Sequence, residues 1–417
     1  MKRLICSILL LSILTCTIKV FAAAYTVPTI GTKGMGMASA FTAVADDPTA
    51  IMYNSAGLTQ LKEGQTYLYG DVNLTYTTSE FSFSEFTTGG VTYPGDDSSL
   101  NMFVQSIEFY AARSFGNFAG GVAVYPAYGT GGFSFDNVTA PSLMGTVRHM
   151  TSASGYFSFT GALACKLTPN LSVGVTGEVL YGLFESKTER DITIPAGPLA
   201  GTYDFALKQE GNGFGGSRAN FGILYAISPN LKIGENIKTP TKFTIEGTQT
   251  VSGNPGITTL PANGETDYIS QNGLPWEFNT GISYDVTPEF TVSLVHWFRL
   301  YSQVSSDVGL AAPTSEKTCD DIHNFGAGAN WKVSPVLQLR AGVMYNTELI
   351  KTEYLTAGFN NLNAAISPSA GVSYNLTQNT EISLAFQYTH FFPRTSASGE
   401  RIYGNAIRTM VGATYTF

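Results

Sequence analysis

This chain has little charge, few cysteines and histidines, and no long apolar helix. Charged residues make up 13% of its 417 positions, about half of the roughly 25% usual in soluble domains, so the sequence does not describe an ordinary water-exposed surface. Of its four cysteines, Cys6 and Cys16 lie in the first apolar run. Cys165 falls in a strand-like segment and Cys319 in a loop-like one, which excludes a disulfide framework or a cysteine metal cluster. The histidines, His149, His296, His323 and His390, stand in no G-x-S-x-G or H-E-x-x-H context. No nucleophile and base are legible together, so the chain is expected not to be an enzyme. His296 and His390 fall on faces assigned to lipid, near the interface. The acid pairs Asp46-Asp47, Asp96-Asp97 and Asp320-Asp321 read as solvated loops rather than calcium ligands, and no metal or cofactor is expected. Beyond the amino terminus no apolar stretch approaches the ~18 residues of a membrane helix.

What is present points outward from the cell. Lys2 and Arg3 precede an apolar run from Leu4 to Ile18 that ends in small residues, the layout of a secretory signal cleaved after Ala22 or Ala24. The expected division is 1–24 signal peptide, 25–63 an amino-terminal plug and 64–417 a barrel. Removing the signal takes the formal charge from −8 to −11, since Lys2, Arg3 and Lys19 leave with no acid. An acidic chain offers nucleic acid no electrostatic footprint.

Period-two alternation runs from about Gly64 to Phe417, and helical periodicity is nearly absent. Ile382, Leu384, Phe386 and Tyr388 alternate with Glu381, Ser383, Ala385 and Gln387. Alternation alone does not separate a soluble sandwich from a barrel in lipid, but the corners do. Leu167-Thr168-Pro169-Asn170, Ile227-Ser228-Pro229-Asn230, Val286-Thr287-Pro288-Glu289, Val333-Ser334-Pro335-Val336 and Leu376-Thr377-Gln378-Asn379 are tight-turn signals. Two alternating strands and one longer polar segment separate each corner from the next. That is the rhythm of an outer-membrane barrel, here of about fourteen antiparallel strands. The last strand adds Ile407, Val411, Ala413, Tyr415 and terminal Phe417 on one face, resembling the signal read by the outer-membrane barrel assembly machinery.

The segment before the barrel is compact and built of small residues. Gly31, Gly34, Gly36 and Ala38, then the run Ala43 to Ala50 with Asp46 and Asp47, then Asn54-Ser55-Ala56, closely resemble the amino-terminal hatch of the FadL/TodX transporters, with Ser55 where that family usually has proline. Gly211 to Gly247 and Leu274-Pro275-Trp276 onward resemble its middle strands. The resemblance implies an all-β, fourteen-stranded outer-membrane barrel plugged by a hatch that includes Phe41, and passive import of hydrophobic molecules such as long-chain fatty acids or aromatic hydrocarbons. It also implies a kinked third strand. Val122 to Gly132 is the matching stretch, and Pro126, Tyr128 and Gly129 there mark either a lateral opening or an ordinary strand end.

Alternation turns Glu178, Arg218, Glu277, Asp285, Arg299, Arg340, Glu381 and Arg408 toward the lumen. Their mixed sign argues against a charge-selective porin and favours pairing among themselves, with one of Arg218, Arg299, Arg340 or Arg408 free to hold a substrate carboxylate. Outer loops near Ile192 to Leu207 and Val251 to Leu260 offer Ile194, Pro195, Leu199, Phe205, Ile257 and Leu260 for capture. The expected partners are a hydrophobic small molecule and outer-membrane lipids, with the chain a monomer. A general porin or an outer-membrane lipid-active enzyme is the alternative.

Overall fold

The computed structural model describes residues 29–88, 91–141, 145–194, 200–256, 260–304, 319–355 and 363–417. The expected signal and cleavage sites lie outside these residues. Sixteen hydrogen-bonded segments form one antiparallel sheet. They amount to fourteen wall strands, because two strands are interrupted. In chain order these are β1 (Thr66–Phe83), β2 (Asp96–Phe115), β3 (Phe118–Ala140), β4 (Gly145–Thr168), β5 (Leu171–Ile194) and β6 (Gly201–Ser228). The broken strands follow: β7 as Leu231–Lys238 and Thr241–Ser252, and β8 as Gly264–Leu274 and Glu277–Thr287. The wall ends with β9 (Phe290–Arg299), β10 (Ile322–Lys332), β11 (Leu337–Asn346), β12 (Ala365–Thr377), β13 (Thr380–Thr395) and β14 (Arg401–Thr416). β1 pairs with β14 from Tyr67–Thr416 to Ser82–Arg401, which closes the ring. A closed ring leaves no strand edge to be satisfied by lipid.

The alternation decides which side faces what. On β1, Leu68, Val72, Leu74 and Tyr76 are exposed on the outside, while Tyr69, Asp71 and Thr75 are buried within. An apolar outside and a polar inside is the pattern of a wall in lipid. The corners form as their residues require. The backbone N–H of Leu171, Phe290, Leu337 and Asn379 donates to the hydroxyl of Thr168, Thr287, Ser334 and Thr377 respectively. Breaks in β7 and β8 fall at Thr239-Pro240 and Pro275-Trp276, since proline cannot donate to a ladder. One expectation fails: the stretch Ile192 to Leu207 is not simply a loop. β5 runs to Ile194 and β6 starts at Gly201, because these two strands extend far from the corner-bearing end and keep pairing there.

Residues 29–61 fill the lumen with two short helices, α1 (Thr32–Gly36) and α2 (Ala50–Tyr53), and a 3-10 turn at Ser55–Gln60. The wall is cut away where this segment touches it. A methyl group at Gly222 would lie 2.4 Å from Asn54 Oδ1, one at Gly234 2.5 Å from the Thr42 carbonyl oxygen, one at Gly328 2.5 Å from that of Met37, and one at Gly342 2.5 Å from the Met37 carbonyl carbon. Plug and wall backbones meet without intervening side chains. Gly234→Val or Gly342→Val should therefore push the plug from its seat, at a cost of about 1–3 kcal/mol for overpacking, in a barrel that still folds. Single-channel conductance should rise while heat-modifiable gel mobility is kept; unchanged conductance would count against a sterically seated plug.

Candidate functional site

The plug is anchored by specific bonds. Asn54 Nδ2 donates to the carbonyls of Thr42 (3.0 Å) and of Ile223 on β6 (2.9 Å), while its Oδ1 accepts from Ala56 N–H. One amide thus ties the plug to itself and to the wall. Gly31, with φ at +66°, donates its N–H to Glu108 Oε2 on β2. Gly34 has no room for a side chain, because Tyr53 Oη would lie 2.2 Å from its methyl; that hydroxyl donates to the Ile30 carbonyl at 2.9 Å. Gly36 sits against Arg340 and Gly371. Phe41, Tyr53 and wall residue Trp297 make a chain of edge-to-face rings, with centroids 5.3 and 5.8 Å apart. Asp46 makes a half-exposed ion pair with Lys33 at 3.8 Å, which contributes little. Asp47 is buried and accepts from the Thr49 N–H and hydroxyl at 2.8 and 2.5 Å. Burial raises its pKa above the ordinary carboxylate value, against the opposing charge of Lys33.

Above the plug lies a layer of ions. Arg218 bridges Glu178 (3.1 Å) and Glu277 (2.9 Å), and Arg299 holds the second oxygen of Glu277 at 3.0 Å. Glu178 also accepts from Asn220 and Tyr125. Arg340 is spent on Ser373 and Gln338 beside the plug, and Arg408 donates to Thr75. All four arginines considered from the sequence therefore face the lumen and already have protein partners. Lys238, which sequence reasoning passed over, differs. It is buried, with 2% of its surface exposed, and is the cross-strand partner of Asn220 and Glu277. No hydrogen bond or ion pair to its ammonium group is formed among the described residues. Two carboxylates thus face three basic groups, and Lys238 is left without a carboxylate of its own. Its signal in the sequence was an inward register two residues before Pro240.

Next along the same inward faces comes grease. Two residues beyond Glu178 on β5, Leu180 joins Tyr156, Phe243, Ile245 and Leu274 in an apolar cluster, with Phe184 and Ala127 against it. Phe243 and Ile245, on the outer half of β7, occupy the space a methyl at Gly182 would need, at 2.4 and 2.6 Å. A second cluster, including Phe81, Leu100, Phe135, Val147, Tyr301 and Ile402, lies toward the outer ends of the strands. Phe205 is buried in β6 and Leu260 half-buried in the loop after β7. Neither belongs to these clusters. Ile257, Pro195 and Leu199 lie outside the described residues, and nothing is described of the Ile194 side chain.

Beside the inner cluster the wall is interrupted. β2 and β3 pair only from Phe115–Phe118 to Phe109–Val124. Beyond that, β2 stays with β1 up to Asp96, and β3 stays with β4 up to Ala140, but they share no further ladder. The departure begins at Pro126, which is buried, and register shifts against β4 follow at Pro126/Tyr128 and Gly129/Gly131. Ala127, the extra residue at the first of those shifts, packs against both the plug cluster and the inner apolar cluster. Among the described residues no group of three metal-ligating side chains occurs. The histidines bond to Asp136, to each other and to Asn405, in no nucleophile-base pair.

Comparison with known proteins agrees with this architecture. A family model described as outer membrane protein transport protein (OMPP1/FadL/TodX) matches residues 13–414. No curated protein sequence matches. Among solved structures, a Pseudomonas aeruginosa FadL homologue is 13% identical with a TM-score of 0.74, covering 95% of this chain and 99% of its own. The Pseudomonas putida toluene transporter TodX is 12% identical with a TM-score of 0.69, covering 94% and 99%. The Ralstonia pickettii toluene transporter TbuX is 17% identical with a TM-score of 0.64, covering 94% and 100%. At these identities the likeness is one of fold.

Asp47 provides a pH test of the plug. A carboxyl whose folded pKa is raised contributes stability that is full below the ordinary carboxylate range and is lost as pH rises through the folded value. Between pH 4 and pH 7.5 the protection of residues 47–54 against hydrogen exchange, relative to the intrinsic rate at each pH, should therefore fall, and Asp47→Asn, which keeps an acceptor for Thr49, should flatten that profile. A profile unchanged by the substitution would show that Asp47 does not govern it.

Proposed function

Because this chain belongs to the OMPP1/FadL/TodX family of outer-membrane transport proteins, and so is an outer-membrane transporter of hydrophobic compounds, we propose that its cargo is an amphipathic acid such as a long-chain fatty acid. The observation that carries the reading is the stacking of layers along β5. Plug contacts at Gly174 come first, then the ion layer at Glu178, then the apolar cluster at Leu180. A fatty acid lying along this axis puts its tail among Tyr156, Phe243 and Ile245 and its carboxylate beside Lys238, the basic group of the ion layer with no carboxylate of its own. Arg218 and Arg299 do not take that role, since displacing Glu178 or Glu277 from them would leave a buried charge unpaired, and Arg340 and Arg408 are bonded to Ser373, Gln338 and Thr75 instead.

In this reading the outer cluster captures cargo from the leaflet or medium, the inner cluster receives it, and release is sideways at Pro126, Tyr128 and Gly129. A greasy molecule gains nothing by entering an aqueous pore and everything by leaving toward hydrocarbon. The plug closes the straight path to the periplasm, which suits a gated carrier better than an open pore. No cofactor and no catalytic step is invoked. An aromatic-hydrocarbon cargo is the second reading, favoured by the uncharged lining of the inner cluster.

Uptake of labelled oleate and toluene by cells lacking their own transporter separates the two. Lys238→Met should lower oleate uptake about tenfold, the loss of one charge-assisted bond of about 1.4 kcal/mol, and spare toluene. Equal loss of both, or of neither, rejects the head-group role, and no uptake of either by the unaltered chain rejects transport. Deleting Ala127 and Thr130 together with Pro126→Val should let β3 follow β2 and abolish uptake in a folded barrel. Uptake that survives a continuous β2–β3 ladder rejects lateral release.

A further inference from the structure

Two acids face each other where the plug meets the wall. Asp71 on β1 and Glu108 on β2 are direct register partners, and they are only 3% and 0% exposed. Asp71 Oδ2 accepts from the Tyr69 hydroxyl at 2.6 Å. Glu108 Oε2 accepts from the Tyr110 hydroxyl at 3.0 Å and from the Gly31 N–H at 3.3 Å. Tyr69 Oη in turn accepts from the Thr32 N–H at 2.8 Å. Two consecutive backbone N–H groups of the plug therefore end on this pair, one directly and one through Tyr69. The remaining oxygens, Asp71 Oδ1 and Glu108 Oε1, are buried and have no hydrogen-bond partner among the described residues. Glu108 also stands at the lip of the interrupted wall, as the next residue of β2 beyond the last β2–β3 pair, Phe109–Val124.

Directly opposed residues of an antiparallel pair have Cβ atoms about 4.5–5.5 Å apart, and two carboxylates that close cannot both stay ionised out of water. We propose that Asp71 and Glu108 are a proton-binding site, in which one proton held between Asp71 Oδ1 and Glu108 Oε1 seats the first turn of the plug. One carboxyl then donates and the other accepts, so a single hydrogen satisfies both orphaned oxygens. A hard metal ion suits the pair less, since it takes six or more oxygens and only these two are to spare. The titratable and charged groups around the pair are Tyr69 on β1, Tyr110 on β2, Tyr125 on β3, Arg408 on β14, and Tyr53 and Asp47 of the plug. Of these Arg408 alone is a cation, and one proton leaves the pair with a single negative charge opposite it. An unseated plug admits water to both acids and lets both ionise. Seating therefore binds a proton, and by linkage it weakens as pH rises. The site is independent of the cargo's identity.

The test uses the full chain in outer-membrane vesicles, with Asp47→Asn as the background so that the other buried acid of the plug does not contribute. Infrared spectra at neutral pH should contain the carbonyl band of a protonated carboxyl that is missing from both Asp71→Asn and Glu108→Gln, where the remaining acid has no like charge beside it. Protection of the Gly31 and Thr32 amides, relative to the intrinsic exchange rate at each pH, should fall from about pH 6 upward by up to about tenfold for each pH unit, the slope of one proton. Glu108→Gln, which keeps an acceptor for Gly31 and gives Asp71 a permanent donor, should hold that protection constant. Heat-modifiable mobility verifies that each variant has folded. A missing carboxyl band, a band that survives either substitution, a pH profile unchanged by Glu108→Gln, or protection that follows added magnesium or calcium rather than pH overturns the proposal.

Discussion

Everything in this molecule depends on the pairing of backbone polar groups where water is absent. In hydrocarbon an unpaired N–H or C=O costs several kcal/mol, and a strand has such a group at every residue. A closed antiparallel ring meets that demand, down to the last residue: Phe417 and Thr66 exchange both their backbone bonds, at 3.0 and 2.8 Å, at the seam. Against this constraint the places where pairing stops stand out. The β2–β3 ladder ends at Phe109–Val124 although both strands continue. Residues there must be satisfied by the lumen, by a bulge, or by lacking a donor, as Pro126 does.

The same constraint explains the plug. A lumen filled by chain must also pair that chain's backbone, and helices too short to do so internally need help from side chains. Asn54, Tyr53 and Glu108 supply it, each bonding to backbone that no helix or sheet satisfies. Wall glycines let the two backbones approach, so the plug fits by shape as much as by bonds. The ion layer above is held differently. Glu277 lies between two arginines and Glu178 beside one of them, and removing Glu277 would leave Arg299 a desolvated cation without its carboxylate. It is a rigid floor rather than a loose set of binding groups.

Much of this was legible in the sequence. Corners such as Leu167-Thr168-Pro169-Asn170 announce themselves through proline and a hydroxyl that bonds two or three residues on. Strands with one lipid-facing side alternate cleanly. The plug was readable because Gly31, Gly34 and Gly36 have no role in a strand. What escaped was pairwise and three-dimensional. Alternation gave the inward facing of Arg218 and Arg299, but not that Glu277 would occupy both. The tall outer halves of β5 and β6 read partly as loops, since strands outside the membrane need no apolar face. Lys238, two residues before a proline, stands in no motif and drew no reading from the sequence. Its meaning appears only when its neighbours are seen to be paired already.

The order of layers bears on why a plugged barrel can carry cargo at all. Apolar cargo gains about 25 cal/mol for each Å² removed from water, so a continuous greasy path would bind it without letting it go. Here the path is interrupted twice. An ion layer ends the inner cluster toward the plug, and Ala127, small and shared by the inner and plug clusters, ends it toward the wall. A molecule that reaches Leu180 and Phe243 finds charge below and a missing ladder beside it. On the proposed lateral route, the way that costs least is the one that returns its surface to hydrocarbon, through the strands that have stopped pairing. On that proposal directionality needs no energy source in the protein: the membrane is the deeper well, and the plug with its ions withholds the alternative.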